Sequence, residues 1–363
     1  MTTHKVRPLD GITVVSLEHA IAAPFCTRQL ADLGARVIKV ERPEVGDFAR
    51  GYDQRVNGMS SHFTWTNRSK ESLTLDIKHD QAMQALLKLL KNADVFVQNL
   101  APGAAARLGL SADDLKKLNP RLIVCDISGY GSYGPYRDKK AYDLLIQSEA
   151  GFLSVTGTKD NPSKAGCSIA DIAAGMYAYT NILSALLLRE KTGHGSHIDV
   201  SMLEALGEWM SFPLYYAFDN AEPPARSGAS HATIYPYGPF KAGDGKTVML
   251  GLQNEREWVQ FCEIVLENPE LAKDEQFDVV VILDAASTAL AEALPALSRA
   301  SQVIAFGDPT LALVEDFDTV ARANQGHVAP KRQASYSAIA ERFGALSIHH
   351  SYRTEGQVLG RYL

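Results

Sequence analysis

The sequence predicts an α/β fold in which a doubly wound parallel sheet forms a large first domain. A smaller α+β domain and an atypical C-terminal segment are predicted to follow. Short apolar strands alternate with helices from the N-terminus to about residue 200, which is typical of a parallel sheet covered by helices on both faces. A chain of 363 residues has room for about two domains. The predicted boundaries are 1–220, 221–275 and 276–363.

The predicted elements of the first domain are spaced like consecutive βαβ units. Strands are expected at residues 12–17, 35–40, 95–97, 122–126 and 197–200, and helices at 24–33, 79–91, 112–118 and 171–190. Gly34 is a helix stop signal, and Ser201 with Glu204 forms a capping box that opens another helix. A second small region carries a strand at 247–250 and a helix from Glu255 onward. Ligands of such sheets bind beyond the carboxyl ends of the strands.

The composition is that of an ordinary globular protein with an acidic balance. Hydrophobic residues make up 46% and charged residues 21%, and the formal net charge is -6. This balance argues against nucleic acid or an anionic membrane as the main partner. The N-terminus lacks the apolar stretch of a secretory signal, and the uncharged stretch 172–188 falls short of a comfortable membrane span, so it is interpreted as a buried helix. We therefore expect a cytoplasmic protein.

The four cysteines give no sign of a disulfide framework or a zinc site. They are scattered and contain no CxxC pair. We interpret them as buried or idle thiols of a reducing compartment, and we predict no metal site. The cysteines are Cys26, Cys125, Cys167 and Cys262.

Asp171 stands where an apolar helix is predicted to begin. Helix N-termini offer unpaired N–H groups and favour negative charge. Two interpretations follow, an ordinary N-cap or an ionised carboxylate that acts as a nucleophile.

Basic residues follow several predicted strand ends. Arg42 follows the second strand, and Arg107 comes shortly after the strand at 95–97, while Arg68 and Lys70 lie between predicted elements. Such residues could pair with the phosphates of a nucleotide, although a solvated surface charge is the simpler interpretation of each one alone.

A glycine-rich stretch, Gly129-Tyr130-Gly131-Ser132-Tyr133-Gly134, matches the GxGxxG pattern of dinucleotide sites. It follows a late strand and leads into Pro135 rather than a helix, so it is interpreted as a flexible loop near the site and not as an NAD fingerprint. Lys140 and Tyr142 come soon after it and would reach one ligand if the backbone is extended.

Taken together, these segments resemble the family III CoA-transferases, which include formyl-CoA transferase and carnitine CoA-transferase. The resemblance covers residues 9–271. It is carried, in order, by DGITVVSLEHAIAAPFCTRQLADLGARVIKVERPEVGD, NRSKESLTLD, VQNLAPGAAARLGL, DISGYGSYGPY, KAYDLLIQSEAGFLSVTG, ADIAAGMYA and GSHIDVSMLEA.

The resemblance implies a Rossmann-like CoA-binding domain and a set of site residues. Asp171 matches the catalytic aspartate of the family. The positions matching its CoA contacts are Arg42, Lys70, Asn99, Leu100, Arg107, Lys140 and Tyr142. The implied partners are an acyl-CoA, a carboxylic acid and a second copy of the chain in an interlocked homodimer. No cofactor is implied beyond coenzyme A as substrate.

The implied reaction moves CoA between a thioester and an acid through covalent intermediates on Asp171. The stretch EHAIAAPF resembles the branch acting on C4–C5 dicarboxylic acids, and Ile21 stands where formyl-CoA transferase has a glutamine, which makes formate or oxalate a less favoured acid. Related racemases carry a His–Asp pattern where this chain has Tyr142-Asp143, so racemisation is the weaker alternative. An inactive fusion that only binds CoA is the other alternative.

The segment 276–363 resembles, in three places, motifs of superfamily 1 helicases. FDVVVILDAAS resembles a strand that normally ends in Asp-Glu-Ala-Ser, but Ala285 replaces the second acid, and the chain has no phosphate loop of the GxxxxGK[ST] type. An ATP-driven motor is therefore not expected. Either a truncated transferase is fused to a helicase fragment, or this is a diverged natural C-terminus.

Overall fold

A computed structural model describes residues 6–272 and two later strands at 277–282 and 300–305. The first compact unit ends at Thr233 and the second begins at Ile234. Six strands of the first unit form a parallel sheet in the order β3-β2-β1-β4-β5-β6. The strands are β1 (Thr13–Leu17), β2 (Arg36–Glu41), β3 (Lys70–Thr74), β4 (Val95–Gln98), β5 (Ile123–Ser128) and β6 (His197–Ser201). This arrangement confirms the predicted doubly wound α/β sheet.

Among the described residues of the first unit, ten α-helices connect and cover these strands. They are α1 (Ala22–Asp32), α2 (Ser61–Asn67), α3 (Asp80–Leu90), α4 (Ala104–Arg107), α5 (Ala112–Leu118), α6 (Asp143–Glu149), α7 (Phe152–Val155), α8 (Ile169–Thr192), α9 (Met202–Trp209) and α10 (Ser211–Tyr216). The serine half of the predicted capping box is present, since the Ser201 hydroxyl accepts a hydrogen bond of 3.2 Å from the Glu204 N–H. The Glu204 carboxylate instead accepts from the Tyr133 hydroxyl at 3.1 Å.

The central strands are buried on both faces, which explains their continuous apolar sequence. In β1, Val14 belongs to the apolar cluster around α1 and α8, and Val15 belongs to the cluster around α3 and α5. In β4, Val95 and Val97 join the first cluster and Phe96 the second. Side chains alternate between the faces, as a strand period of two requires.

The edge strand β3 was not predicted. Its sequence KESLT carries a single large apolar residue, Leu73, and three of its five residues are exposed. It pairs in parallel with β2, with Lys70 opposite Val37. An edge strand of this kind lacks the apolar run by which the inner strands were recognised.

The helix that carries Asp171 begins earlier than predicted. Ser168 is the N-cap of α8, so Asp171 is the third helical residue and not the cap. By length and composition alone α8 could cross a membrane. Its buried residues instead belong to the apolar cluster around α1, among them Ala174, Ala178 and Ile182, as expected for a buried helix.

The second unit begins with a two-stranded antiparallel sheet. Strands β7 (Tyr237–Lys241) and β8 (Thr247–Gly251) pair with Gly238 opposite Leu250, and helix α11 (Glu255–Gln260) follows. Strands β9 (Phe277–Ile282) and β10 (Ala300–Ala305) pair in parallel. A strand was predicted at β9. The rest of the predicted C-terminal segment, 283–299 and 306–363, lies outside the described residues, and the three predicted domain boundaries stay predictions.

Candidate active site

The candidate site lies at the carboxyl ends of β1 and β4, where the strand order reverses. Two hydrogen bonds of 2.9 Å link these strand ends: the His19 N–H donates to Asn99 Oδ1, and Asn99 Nδ2 donates to the His19 carbonyl. Asn99 was predicted to contact CoA. The structure shows that its amide fixes the backbone between β1 and α1, which is the segment that runs toward Asp171.

Asp171 occupies the first turn of α8 and is half-buried. Burial raises the pKa of its carboxyl to about 7, and the nearby charge of Asp143 adds to this rise. The backbone N–H of Ala22, the first residue of α1, partly opposes this rise and lowers the pKa. Near neutral pH the side chain therefore exists as both carboxylate and acid.

Asp143 and Gln147 hold the start of α8 in place. The Ala170 N–H donates to Asp143 Oδ1 at 2.9 Å, and Gln147 Nε2 donates to Asp143 Oδ2 at 2.6 Å. Gln147 is fully buried, and its carbonyl oxygen accepts from the Ala165 N–H at 2.8 Å. One carboxylate thus caps α8 and also places a negative charge near Asp171, which explains part of the raised pKa of Asp171.

Lys70 was predicted to contact CoA, and that contact stays a prediction; the structure places its side chain inside the protein. Its side chain is only 2% exposed, and its Nζ donates to Glu18 Oε1 at 2.7 Å and to the Pro24 carbonyl at 2.9 Å. Burial lowers the pKa of Lys70 to about 8, although Glu18 partly opposes the shift. The ammonium group is used inside the protein, where it supports the first turn of α1, and it does not face solvent.

A second buried lysine completes this cluster of charges, which also contains Glu18, Asp47 and Asn67. Lys39 Nζ lies 2.6 Å from Asp47 Oδ2, 2.8 Å from Asn67 Oδ1 and 3.8 Å from Glu18 Oε1. Burial raises the pKa of the Glu18 carboxyl, but the two lysine charges outweigh burial and hold it below its ordinary value. We refer to Glu18, Lys39, Asp47, Asn67 and Lys70 as the buried charge cluster.

The other predicted CoA contacts lie at or near the surface. Arg42 follows β2 and is exposed, and its charge is close enough to His19 to help lower the pKa of that imidazole. Arg107 is the last residue of α4 and is exposed, and Lys140 is exposed in the loop before α6. Leu100, just after β4, is half-buried, and its N–H donates to Gln98 Oε1 at 2.7 Å.

Tyr142, the last of the predicted CoA contacts, is the N-cap residue of α6 and is 61% exposed. Among the residues that were not predicted, Tyr52 lies within electrostatic reach of Asp171. Burial raises the pKa of Tyr52, and the charges of Asp47 and Asp171 add to this rise.

The glycine-rich loop has a steric use at this site. A side chain at Gly129 would collide with Cβ of Ala141, so only glycine permits the approach of the two segments. The segment 140–142 is thereby held against the end of β5. The loop does not open a helix, in agreement with its interpretation as something other than a dinucleotide fingerprint.

Three residues near the site were not predicted to belong to it: His19, Tyr52 and Asp143. His19 stacks on Phe48 with ring centroids 5.7 Å apart. Burial lowers the pKa of His19, and its Nδ1 has no hydrogen-bond partner within residues 6–272. The signal for His19 was present in the sequence, because a polar residue directly after a buried strand lies at the ligand-binding edge of a parallel sheet.

Comparison with known proteins identifies the family. The model of CoA-transferase family III matches residues 9–308. The match therefore extends past residue 271, where we had expected the resemblance to end, and includes β9 and β10. The superfamily 1 helicase resemblance of the C-terminal segment stays a prediction.

Two curated relatives are CoA-transferases for dicarboxylic acids. The chain is 37% identical over 293 residues to an acetyl-CoA:oxalate CoA-transferase of Acetobacter aceti, covering 79% of this chain and 75% of that protein. It is 36% identical over 271 residues to the mouse succinyl-CoA:glutarate CoA-transferase, covering 74% of this chain and 62% of that protein. The chain thus spans about three fifths to three quarters of the length of these relatives.

A solved structure of the same family shares the fold of this chain. A CAIB/BAIF family protein from Brucella suis superimposes with a TM-score of 0.67 at 34% sequence identity, over 75% of this chain and 73% of that one. These findings confirm the predicted family and the predicted class of reaction. The chain belongs to CoA-transferase family III.

Proposed function

We propose that this protein transfers CoA from an acyl-CoA thioester to a carboxylic acid, with Asp171 as the nucleophile. The observation that carries the proposal is the position of Asp171 in the first turn of α8. There its carboxyl is half-buried and has a pKa of about 7. A partly desolvated carboxylate is a stronger nucleophile than one in bulk water, and a pKa near 7 leaves a useful fraction ionised.

The reaction divides into four acyl transfers. The Asp171 carboxylate attacks the thioester carbonyl, the C–S bond breaks, and CoA leaves as a thiolate from a mixed anhydride. The thiolate then attacks the Asp171 carbonyl carbon and releases the first acid, which leaves an enzyme thioester. The incoming carboxylate attacks this thioester, and the released thiolate attacks the acyl carbonyl of the new anhydride. The new acyl-CoA departs, Asp171 is regenerated as a carboxylate, and no net proton is consumed.

The exposed cations supply the proposed contacts to CoA. Arg42, Arg107 and Lys140 carry charges suited to the phosphate groups of CoA. Leu100 and Tyr142 are proposed to contact CoA through their apolar surfaces. Asn99 acts through the His19 backbone in this proposal, and Lys70 acts through the first turn of α1.

A C4–C5 dicarboxylic acid is the proposed acceptor. The mouse relative is named for succinyl-CoA and glutarate, which supports this choice. The Acetobacter relative is named for acetyl-CoA and oxalate, so oxalate is the second candidate. Ile21 is 6% exposed and caps α1 beside Ala22, and an apolar residue there favours an acid with a methylene chain over oxalate.

The racemase alternative predicts a different outcome. A two-base racemisation needs a second proton carrier, and Tyr142 stands where the related racemases have histidine. Loss of deuterium from an α-deuterated acyl-CoA in the absence of any acceptor acid would favour the racemase. An inactive fusion would bind CoA without turnover.

Three further features belong to the proposal. We expect a cytoplasmic homodimer, and we expect no cofactor beyond coenzyme A. The helicase resemblance of the C-terminal segment fits a fused fragment without its own activity, and a diverged natural C-terminus is the alternative. ATP hydrolysis stimulated by nucleic acid is not expected in either case.

The test is a direct assay on the full chain. The protein is incubated with succinyl-CoA and a panel of acids, namely glutarate, mesaconate, citramalate, itaconate and oxalate, and the new thioesters are identified by mass spectrometry. Transfer to a C4–C5 acid in the wild type, and none in Asp171→Asn, supports the proposal. Turnover by Asp171→Asn at a rate near that of the wild type would refute the role of Asp171. Oxalate as the preferred acceptor would select the second candidate.

A further inference from the structure

One buried amide joins the end of β4 to the neighbouring strand β5. Gln98, the last residue of β4, is 8% exposed and lies opposite Asp126 in the parallel register. Its Nε2 donates to Asp126 Oδ1 at 2.8 Å, and its Oε1 accepts from the Leu100 N–H at 2.7 Å. Both polar groups of this side chain are therefore engaged inside the protein.

Asp126 determines which way the amide points. A carboxylate only accepts hydrogen bonds, so the amide nitrogen of Gln98 must face it and the amide oxygen must face away from it. The second oxygen of Asp126 lies 2.8 Å from Nε2 of His197 in β6, and this nitrogen is the donor for the same reason. The oxygen that holds Leu100 is thus presented by a chain of three side chains from three adjacent strands.

The segment that follows β4 is also held from its other side. Asn99 exchanges two hydrogen bonds of 2.9 Å with the His19 backbone beyond β1. Asn99 ties the segment to β1, while Gln98 ties the next residue to β5 through Asp126. The order of the sheet reverses between β1 and β4, and ligands of such sheets bind at this position.

The same segment leads directly into the helix that carries Arg107. A Cβ atom placed on Gly103, the N-cap of α4, would lie 3.0 Å from Nη1 of Arg107. The Arg107 N–H also donates to the Gly103 carbonyl at 3.1 Å. The guanidinium group therefore folds back over the segment 99–103, and a shift of the backbone at Leu100 moves the place where this cation lies.

We propose that Gln98 is a positioning residue for CoA binding. Its amide, oriented by Asp126, holds the Leu100 N–H and so fixes the segment 99–103 in the conformation that contacts CoA. The statement about CoA rests on the proposed function, because Leu100 and Arg107 are proposed contacts. The geometric part concerns only Gln98, Leu100 and Asp126.

Two single variants release Leu100. Gln98→Met keeps the size of the side chain but offers no oxygen to the Leu100 N–H. Gln98→Glu places two carboxylates face to face with no donor between them. Their repulsion turns the new carboxylate away from Asp126 and draws it from Leu100.

A double variant restores the chain with the amide and the carboxylate exchanged. In Gln98→Glu/Asp126→Asn the new amide donates to the new carboxylate, whose other oxygen again accepts from the Leu100 N–H. Asp126→Asn alone keeps an oxygen that accepts from the Gln98 amide, so it should resemble the wild type. The harm done by Gln98→Glu is therefore expected only in the presence of Asp126.

Two readouts are compared in the full chain, and neither requires turnover. Hydrogen exchange of the Leu100 amide, followed by ¹⁵N NMR without ligand, reports the hydrogen bond to position 98. Isothermal titration with free CoA reports the affinity. We expect Gln98→Met and Gln98→Glu to speed the exchange and to raise Kd for CoA, each by about tenfold. The double variant should come within about twofold of the wild type in both measurements.

Asn119→Ala is the matched control. Asn119 lies at the amino-terminal ends of the strands, and its Nδ2 donates to the Leu90 and Ala93 carbonyls at 3.2 and 2.9 Å. Its loss removes a partly buried amide without touching the candidate site, so stability should fall while Kd for CoA stays that of the wild type. An equal rise of Kd in Asn119→Ala and Gln98→Met would overturn the proposal, because general destabilisation would explain both.

Transfer activity separates this inference from the proposed function. The inference is overturned if Gln98→Met leaves the Leu100 exchange unchanged, if the exchange responds but Kd does not, or if the double variant stays as impaired as Gln98→Glu. CoA transfer by the wild type would leave the proposed function standing in each case. If Kd follows the exchange in every variant but the wild type transfers no CoA, the positioning role stands and the proposed function fails. In an active enzyme, Gln98→Met should raise KM for the CoA ester about tenfold with kcat little changed.

Discussion

Positive charges on the two sides of the candidate site are used in opposite ways. Lys39 and Lys70 are almost fully buried, and each is surrounded by acceptors of the buried charge cluster. Arg42 and Arg107 lie exposed beyond the strand ends and remain accessible to a ligand. All but Lys39 were plausible phosphate contacts in the sequence, so residue type and strand-end position alone do not distinguish a ligand contact from an internal support.

The difference has a clear energetic basis. A buried lysine loses its hydration and is tolerated only where charged and polar partners replace the water. Its removal leaves Glu18 buried without its nearest partner, so the cost falls on stability. An exposed arginine loses little hydration, so its removal changes affinity for a charged ligand and leaves the fold intact.

The largest expected effect is on the stability of the buried side. Lys70→Met should lower the free energy of unfolding by about 3–5 kcal/mol, because it leaves the Glu18 carboxylate buried with Lys39 at 3.8 Å as its remaining cation. Arg36→Met, which breaks the exposed pair with Glu71 at 2.8 Å, should lower the free energy of unfolding far less, because exposed ion pairs contribute little to stability. Urea unfolding measures the free energy of unfolding of both variants. Equal decreases in the two variants would mean that the buried Glu18 carboxylate is not stabilised by Lys70.

The next effect is on affinity at the exposed side. Arg107→Ala should weaken binding of CoA esters by about ten- to a hundredfold, since a charge-assisted hydrogen bond contributes about 1.5–3 kcal/mol. A pantetheine ester, which lacks the nucleotide, should bind nearly as before. Arg121→Ala is the control, because Arg121 precedes β5 and so lies at the amino-terminal ends of the strands, away from the candidate site. Isothermal titration measures the affinity of the wild type and of both variants for each ligand. Equal losses of affinity for the CoA ester and the pantetheine ester would show that Arg107 does not contact the nucleotide part of CoA.

A smaller effect concerns pH. The nucleophile is the ionised form of Asp171, and the pKa of Asp171 is about 7, so kcat/KM should fall about fivefold from pH 7 to 6 and about tenfold for each further unit. Asp143 raises that pKa, so Asp143→Asn should move the acid limb to lower pH while one side-chain oxygen still accepts from Ala170. A profile unchanged by Asp143→Asn, or one shifted to higher pH, would contradict the assigned cause.

The strands that form the centre of the sheet could be predicted because their apolar runs record burial on both faces. Val14, Val15 and Phe96 are examples. The edge strand β3 could not be recognised in this way, because its alternating polar residues face solvent. Helix α5 was predicted at its observed bounds, since Ser111 caps it locally through the Asp114 N–H.

Two internal contacts of the candidate site could not be predicted, and they share one cause. Asp171 lies in the first turn of its helix as predicted. Its helix starts earlier because a cap comes from Asp143, which belongs to another element. The ion pair between Lys70 and Glu18 was not predicted, because the two residues lie 52 positions apart in sequence. Long-range partners of this kind leave no local signal.

The most direct test of the central claim is to trap the covalent intermediate. The full chain is incubated with succinyl-CoA and then treated with hydroxylamine, and its peptides are analysed by mass spectrometry. If Asp171 carries the acyl and CoA groups, the peptide that contains Asp171 should be converted to a hydroxamate in a reaction that depends on the thioester. Asp171→Asn should show no such product. A hydroxamate at another acidic residue, or turnover in the wild type without any modified Asp171 peptide, would contradict the account.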